Sequence, residues 1–291
     1  MILPFKGYSG CTVEVVQDGE STRIKKSTRD SSYMPRLERQ FQKQQRALLL
    51  NDLSFIQIPS VTREHRSVDT YGFEMQYFRS EDAISFLQTA TLRDIDLVTA
   101  RLIRFIERNL VHSPALQLER CEIVKKYQSV QEKIANSFVF SEDFIDSLFK
   151  QTDAVFAELP EHLTLPVGSC HGDLTLSNVL IAKDSKQMVL VDWLDSFLET
   201  PLQDIVKLRQ DTQYHWSLNL YNRPFDKTKI MIIMEYIDRR IDNHFRQYEF
   251  YKRHYPIFQL LNFLRILPYA EAMHRPYLEQ AMGRVLSEKN L

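Results

Sequence analysis

Three cysteines in 291 residues, Cys11, Cys121 and Cys170, are too few and too widely spaced for a disulfide framework or a paired metal knuckle. No His/Cys grouping has zinc spacing. An excess of one charge is missing too: 37 Lys and Arg oppose 38 Asp and Glu, a formal net charge of −1. Nothing therefore argues for a broad nucleic-acid footprint, although such a sum averages away a local basic cleft. Long apolar runs are also absent. The longest in the second half, residues 230–234, falls far short of the ~20 residues of a bilayer-spanning helix. The opening residues 1–7 are interrupted by Gly7 and polar residues before a signal-peptide core can form. No internal repeat or low-complexity linker breaks the chain. What remains is an ordinary globular composition, long enough for one large domain or two lobes, with a reducing cytoplasm as the expected compartment.

The most informative stretch is residues 169–193. His171, Gly172 and Asp173 are followed by Asn178, and Asp192 closes a short apolar run. Residues 178–182 read as a strand, 183–186 as a polar turn and 188–192 as the returning strand. That hairpin brings Asn178 and Asp192 to one end, beside the loop carrying His171 and Asp173. Oxygen donors grouped there suit a hard divalent cation and a hydroxyl awaiting deprotonation.

The pattern resembles the aminoglycoside phosphotransferase and choline kinase family, small-molecule kinases with a protein-kinase-like fold. The resemblance implies an α+β, two-lobed fold: a small β-rich nucleotide-binding lobe over residues 1–80 and a larger, mainly helical lobe over residues 81–291, with the catalytic loop and acceptor site. It implies ATP and Mg2+ as cofactors and a small hydroxylated molecule as acceptor. Asp173 would accept the acceptor's proton, while Asn178 and Asp192 would hold the metal. Pro201 and Asp204 match the family's Pro-x-x-Asp segment, whose acid braces the catalytic loop. His171 suits a similar bracing role better than that of base. Gly172 and Trp193 stand where protein kinases have the Arg of His-Arg-Asp and the Phe of Asp-Phe-Gly. An atypical protein kinase is therefore the more distant alternative, beside a catalytically inactive nucleotide-binding or scaffold protein.

Upstream, Gly7 and Gly10 precede the stretch Val13-Glu14-Val15-Val16, a turn at Asp18 and Gly19, and a returning strand over 21–27. Strands joined this way lay a glycine loop over phosphates, where missing side chains admit backbone amides. An ordinary N-terminal hairpin is the plainer reading. Strand alternation puts Lys26 on the face of Ile24, and Lys25 on that of Arg23. A nucleotide cleft wants an apolar residue against the base and a lysine against the phosphates, which selects Ile24 with Lys26. A helix from Pro35 carries Leu37, Phe41 and Leu48 as its stripe. The family places an acid there to pair with the strand lysine. Glu38 is the one acid in mid-helix, but it lies early, with Gln42 or Gln44 as alternative occupants of that position.

Residues 71–78 alternate as a strand, and the resemblance makes its end a hinge where backbone around Gln76 and Phe78 bonds the base. Beyond it, Thr91 and Asp94 have capping-box spacing, Ser141 is placed to cap a helix, and two further helices fit 230–248 and 256–267. Asp195, His215 and Trp216 are candidates for the acceptor pocket, with turn, core or surface placement equally open. The expected activity is transfer of the ATP γ-phosphoryl group to a small-molecule hydroxyl, with a sugar or surface-polysaccharide precursor favoured over choline.

Overall fold

Alternation of Tyr71, Phe73 and Met75 with Gly72, Glu74 and Gln76 builds a strand. In the computed structural model, which describes residues 4–6, 10–19, 21–182 and 185–289, β1 (Pro4–Lys6), β2 (Thr12–Asp18) and β3 (Ser21–Thr28) lead into helix α1 (Met34–Leu50). The next strands are β4 (Ile56–Gln57), β5 (Val61–Arg66), β6 (Tyr71–Gln76) and β7 (Ser80–Asp82). An antiparallel sheet forms in the order β1-β2-β3-β6-β5. Gly19, at φ 61°, sits at the β2–β3 turn in a left-handed conformation that glycine adopts without steric cost. Tyr33, Leu37, Tyr71, Phe73 and Met75 form a core against which Ile24 and Phe41 pack. Pro35 falls in the first turn of α1, where its missing N–H would have had no intrahelical partner.

Helices dominate thereafter. They are α2 (Ala83–Thr89), α3 (Leu92–Val111), α4 (Arg120–Ala135), α5 (Glu142–Ala157), α6 (Pro201–Thr212), α7 (Trp216–Leu220), α8 (Lys227–Phe245), α9 (Glu249–Leu264) and α10 (Arg275–Lys289). Strands β8 (Ala115–Glu119) and β9 (His162–Pro166) pair antiparallel. The hairpin of β10 (Val179–Ala182) and β11 (Met188–Leu190) joins earlier strands: β10 pairs with β7, and β11 runs parallel to β4. The hairpin is shorter than expected. Asn178 belongs to a 3-10 turn over Leu176–Asn178, and the second strand ends at Leu190, before Asp192.

Both helix caps form. Asp94 accepts from the Thr91 N–H at 3.1 Å while Thr91 Oγ1 accepts from the Asp94 N–H at 3.2 Å, so aspartate completes the box. Ser141 Oγ accepts from the Phe144 N–H at 3.3 Å. The last helices differ from expectation. α8 starts earlier because Asp226 accepts from the Lys229 N–H at 3.0 Å. Pro256 lies inside α9 rather than opening it. Proline costs a helix one hydrogen bond, but Tyr251, Tyr255 and Phe258 are buried on both sides of it and hold the helix together.

The chain forms two compact units. One comprises Met1–Phe105, His171–Ser196 and Pro224–Ile230; the other comprises Ile106–Cys170, Phe197–Arg223 and Met231–Leu291. The boundary expected near residue 80 lies inside the first, which takes in β10 and β11 through their pairing with β7 and β4. In the second, the buried Arg209 guanidinium bonds both Asp238 oxygens at 2.9 Å and Asp242 at 2.8 Å. The architecture is the expected α+β one, with a small β-rich N-terminal lobe and a larger helical C-terminal lobe.

Candidate active site

The alternation of β3 buries Lys26, only 4% exposed, between Val13 and Phe73 of the neighbouring strands. Its ammonium forms an ion pair with the Asp192 carboxylate and donates to Gln40 Oε1 at 3.3 Å. Gln40 Nε2 donates in turn to the Tyr33 hydroxyl at 3.1 Å. Burial works against the charge on Lys26, but the Asp192 carboxylate outweighs it and holds the pKa above its ordinary value. Partial burial raises Asp192, and the Lys26 ammonium overcomes this to keep the carboxyl below the usual range. Strand alternation turns Lys25 to the opposite face.

Glu38 does not meet Lys26; it pairs with Arg66. Two helical positions separate Glu38 from Gln40, roughly 200° around the axis, and the buried face of α1 carries Leu37, Gln40 and Gln44. A neutral amide therefore stands where an acid was expected. Neither Gln42 nor Gln44 fills that place: Gln42 is exposed and Gln44 donates to the Pro59 carbonyl at 2.7 Å.

Gly172 has φ 88°, and a Cβ on it would lie 2.0 Å from the Leu194 carbonyl oxygen, so only glycine fits. The Leu194 N–H donates to the His171 carbonyl, and the Val191 N–H to that of Asn178, each at 3.1 Å. These bonds lace the 171–178 loop to the segment bearing Asp192. Asp192 itself adopts φ 64°, a left-handed conformation that aspartate tolerates better than most residues. Asn178 Nδ2 donates to the Asp173 carbonyl at 2.8 Å and to Asp173 Oδ2 at 3.0 Å, so its amide oxygen is the end suited to a cation. His171 is fully buried, its ring centre 4.5 Å from that of Trp193, and its Nδ1 accepts from the Asp173 N–H at 3.3 Å. Burial pushes its pKa down to about 4, against the Asp173 carboxylate and with the help of the Lys43 ammonium.

The other expected residues are more scattered. Gly10 precedes β2; its Cβ position is 3.0 Å from the Tyr33 ring, and its carbonyl accepts from Thr28 Oγ1 at 2.7 Å. Gly7 lies outside the described residues. Ile24 is half-buried against the sheet core. Gln76 ends β6, exposed, with its Oε1 accepting from Ser60 Oγ at 3.2 Å. Phe78 lies past the strand end, its carbonyl accepting from Ser80 Oγ at 3.1 Å. Asp204 is buried in the first turn of α6, in the second unit. His215 takes φ 59° ahead of α7, and the Trp216 ring is 5.6 Å from those of His274 and Tyr277.

Two α1 cations were missed. Arg39 Nε donates to Asp195 Oδ2 at 2.8 Å, and Lys43 Nζ to the Leu194 carbonyl at 2.6 Å. Their spacing with Gln40 along one helix face was the available signal.

The fold is that of the protein-kinase-like superfamily. Within it, the chain belongs to the phosphotransferase enzyme family, whose model matches residues 4–226. A thermostable mutant of aminoglycoside phosphotransferase APH(4)-Ia in its apo form is similar, with a TM-score of 0.64 at 11% identity over 99% of this chain and 94% of that one. A putative fructosamine-3-kinase from Haemophilus somnus has a TM-score of 0.54 at 10% identity, covering 99% and 90% respectively. Aminoglycoside phosphotransferase APH(3'')-Id from Streptomyces rimosus has a TM-score of 0.54 at 18% identity, covering 92% of each chain. At these identities the likeness is one of fold. No curated protein sequence matches the chain.

Proposed function

We propose that the protein transfers the γ-phosphoryl group of ATP, with Mg2+, to a hydroxyl of a small molecule, and that the acceptor is a sugar or surface-polysaccharide precursor. The observation that carries this reading is the ion pair of buried Lys26 with Asp192, in the same compact unit as the Asn178–Asp173 contact. A thermostable mutant of APH(4)-Ia forms a ternary complex with AMP-PNP and hygromycin B, which supports nucleotide and small-molecule acceptor as the two substrates. The cytoplasm, where ATP is supplied, is the compartment this activity needs. Among the described residues no helix is long and apolar enough to cross a membrane.

In this reading the adenine lies near Ile24 and the backbone of residues 76–78, and the phosphates near Gly7, Gly10 and Lys26. Residues 1–80 supply the nucleotide lobe, and residues 81–291 the acids and the acceptor side. Asp192 and the Asn178 amide oxygen are hard donors that fit Mg2+, which takes one or two carboxylates and completes its shell with phosphate and water. The Asp192 side chain is 44% exposed, leaving room for those further ligands. Bound there, the ion supplies neutralisation of the charge on the phosphoryl oxygens. Asp173, with Oδ2 held by Asn178, orients the acceptor hydroxyl and takes its proton on Oδ1 as the oxygen–phosphorus bond forms and ADP leaves. Neutral His171, whose Nδ1 accepts from the Asp173 N–H, braces the loop that carries Asp173.

The test is ATP turnover by the purified protein against a panel of hydroxylated metabolites: sugars, aminoglycosides, choline and hydroxyl amino acids. Acceptor-dependent ADP release is expected. Tight MgATP binding without turnover on any panel member would identify a nucleotide-binding scaffold instead.

A further inference from the structure

Lys43 lies about one turn beyond Gln40 on α1 and takes no part in the chemistry above. Its ammonium reaches a crossing of chain segments. The Leu194 carbonyl accepts from Lys43 Nζ at 2.6 Å, while the Leu194 N–H donates to the His171 carbonyl at 3.1 Å. A Cβ on Gly172 would lie 2.0 Å from that Leu194 oxygen and 3.0 Å from Lys43 Nζ. One ammonium thus bonds the segment bearing Asp192 and lies beside the glycine that precedes Asp173. Arg39, on the same helix face, reaches Asp195 at 2.8 Å, but these side chains are 54% and 33% exposed and water screens the pair. The Lys43 bond is charge-assisted and made to backbone, so it is the stronger tie.

We propose that Lys43 is a positioning residue for phosphoryl transfer. It pins the Leu194 carbonyl against Gly172 and so fixes the separation of Asp173 and Asp192, two acids the reaction needs at once, a role that rests on the phosphotransferase reading of the site. Small displacements of reacting groups are costly in catalysis, which gives a remote clamp its value.

Lys43→Met removes the ammonium at similar length, and Lys43→Arg restores a cationic donor. Calorimetry with ADP, with and without Mg2+, measures the gain in affinity that the metal gives. Hydrogen exchange over residues 171–174 and 192–195 measures the crossing directly. The methionine variant should bind metal-free ADP within about twofold of wild type, lose about tenfold of the Mg2+-dependent gain, and exchange at least about tenfold faster in both segments, as loss of a charge-assisted bond implies. The arginine variant should recover most of both. Unchanged metal dependence and exchange in the methionine variant would overturn the proposal, as would failure of arginine to rescue. If the methionine variant does not fold, Lys43→Gln is measured in its place, with the same losses expected and the same unchanged values overturning the proposal. Wild-type protein without any Mg2+-dependent gain would refute the phosphotransferase reading instead, while hydrogen exchange would still decide the clamp.

Discussion

Acidification from pH 7.5 to 5.0 should destabilise the fold by about 2 kcal/mol through His171 alone. The side chain has no exposed surface, and burial sets its pKa at about 4, against ~6.5 for an unfolded histidine. At pH 7.5 the ring is neutral in both states. At pH 5.0 nearly every unfolded chain carries the proton, but only about a tenth of folded chains do. The unfolded state binds more protons in this window, so stability rises with pH between about 4 and 6.5 and falls on acidification. Below pH 4 both states take the proton and the loss levels off at roughly 3 kcal/mol. Asp192, held below the ordinary carboxylate range by Lys26, loses its contribution only at still lower pH. His254, whose pKa burial also lowers, acts in the same direction, so a difference measurement is needed. Urea unfolding of wild type and His171→Asn at both pH values provides it. The wild type should lose about 2 kcal/mol more than the variant between pH 7.5 and 5.0. Equal losses would refute the assignment of a neutral, buried His171.

Asp173→Asn should keep its fold and its ADP affinity yet lose roughly 10²–10⁴-fold in acceptor-dependent turnover, measured by ADP release; near-wild-type turnover would remove Asp173 as base. Asp192→Asn should abolish most of the Mg2+-dependent gain in nucleotide affinity with an unchanged circular dichroism spectrum, and an intact gain would take Asp192 out of the metal site. Lys26→Ala should raise the nucleotide KM or lower turnover more than Lys25→Ala, a ranking that kinetics on the two variants decides.

Local rules made the loop and hairpin readable. A glycine between His171 and Asp173 and an apolar run ending at Asp192 are signals carried within a few residues, and strand alternation alone distinguished the environments of Lys26 and Lys25. Helix α1 was harder. Its apolar stripe was visible, but the polar residue reaching Lys26 depends on how the helix is rotated against the sheet, and tertiary packing sets that rotation. Glu38 and Gln40 are near neighbours in sequence on different faces. The partners of Arg39 and Lys43 lie in the distant segment 194–195, beyond any local window. Pro256 was misplaced for a related reason: a local breaker rule yielded to burial on both sides of it.

The mixed sheet that holds β10 and β11 has a consequence for the order in which the protein can be made. β4 offers only two residues, and its partner β11 arrives from the far half of the chain, where Met188 pairs with Ile56. β7 likewise waits for β10, where Leu180 meets Asp82. A ribosome delivers the early strands first, and both must remain without these partners until residues 179–190 emerge. Closing such long loops costs entropy before any pairing repays it, and the waiting edges are open to the wrong neighbours. A polypeptide cut at residue 80 or halted before residue 179 would leave β4 without its partner in this sheet, so the early strands are finished by the same late segment that brings Asp192 to Lys26.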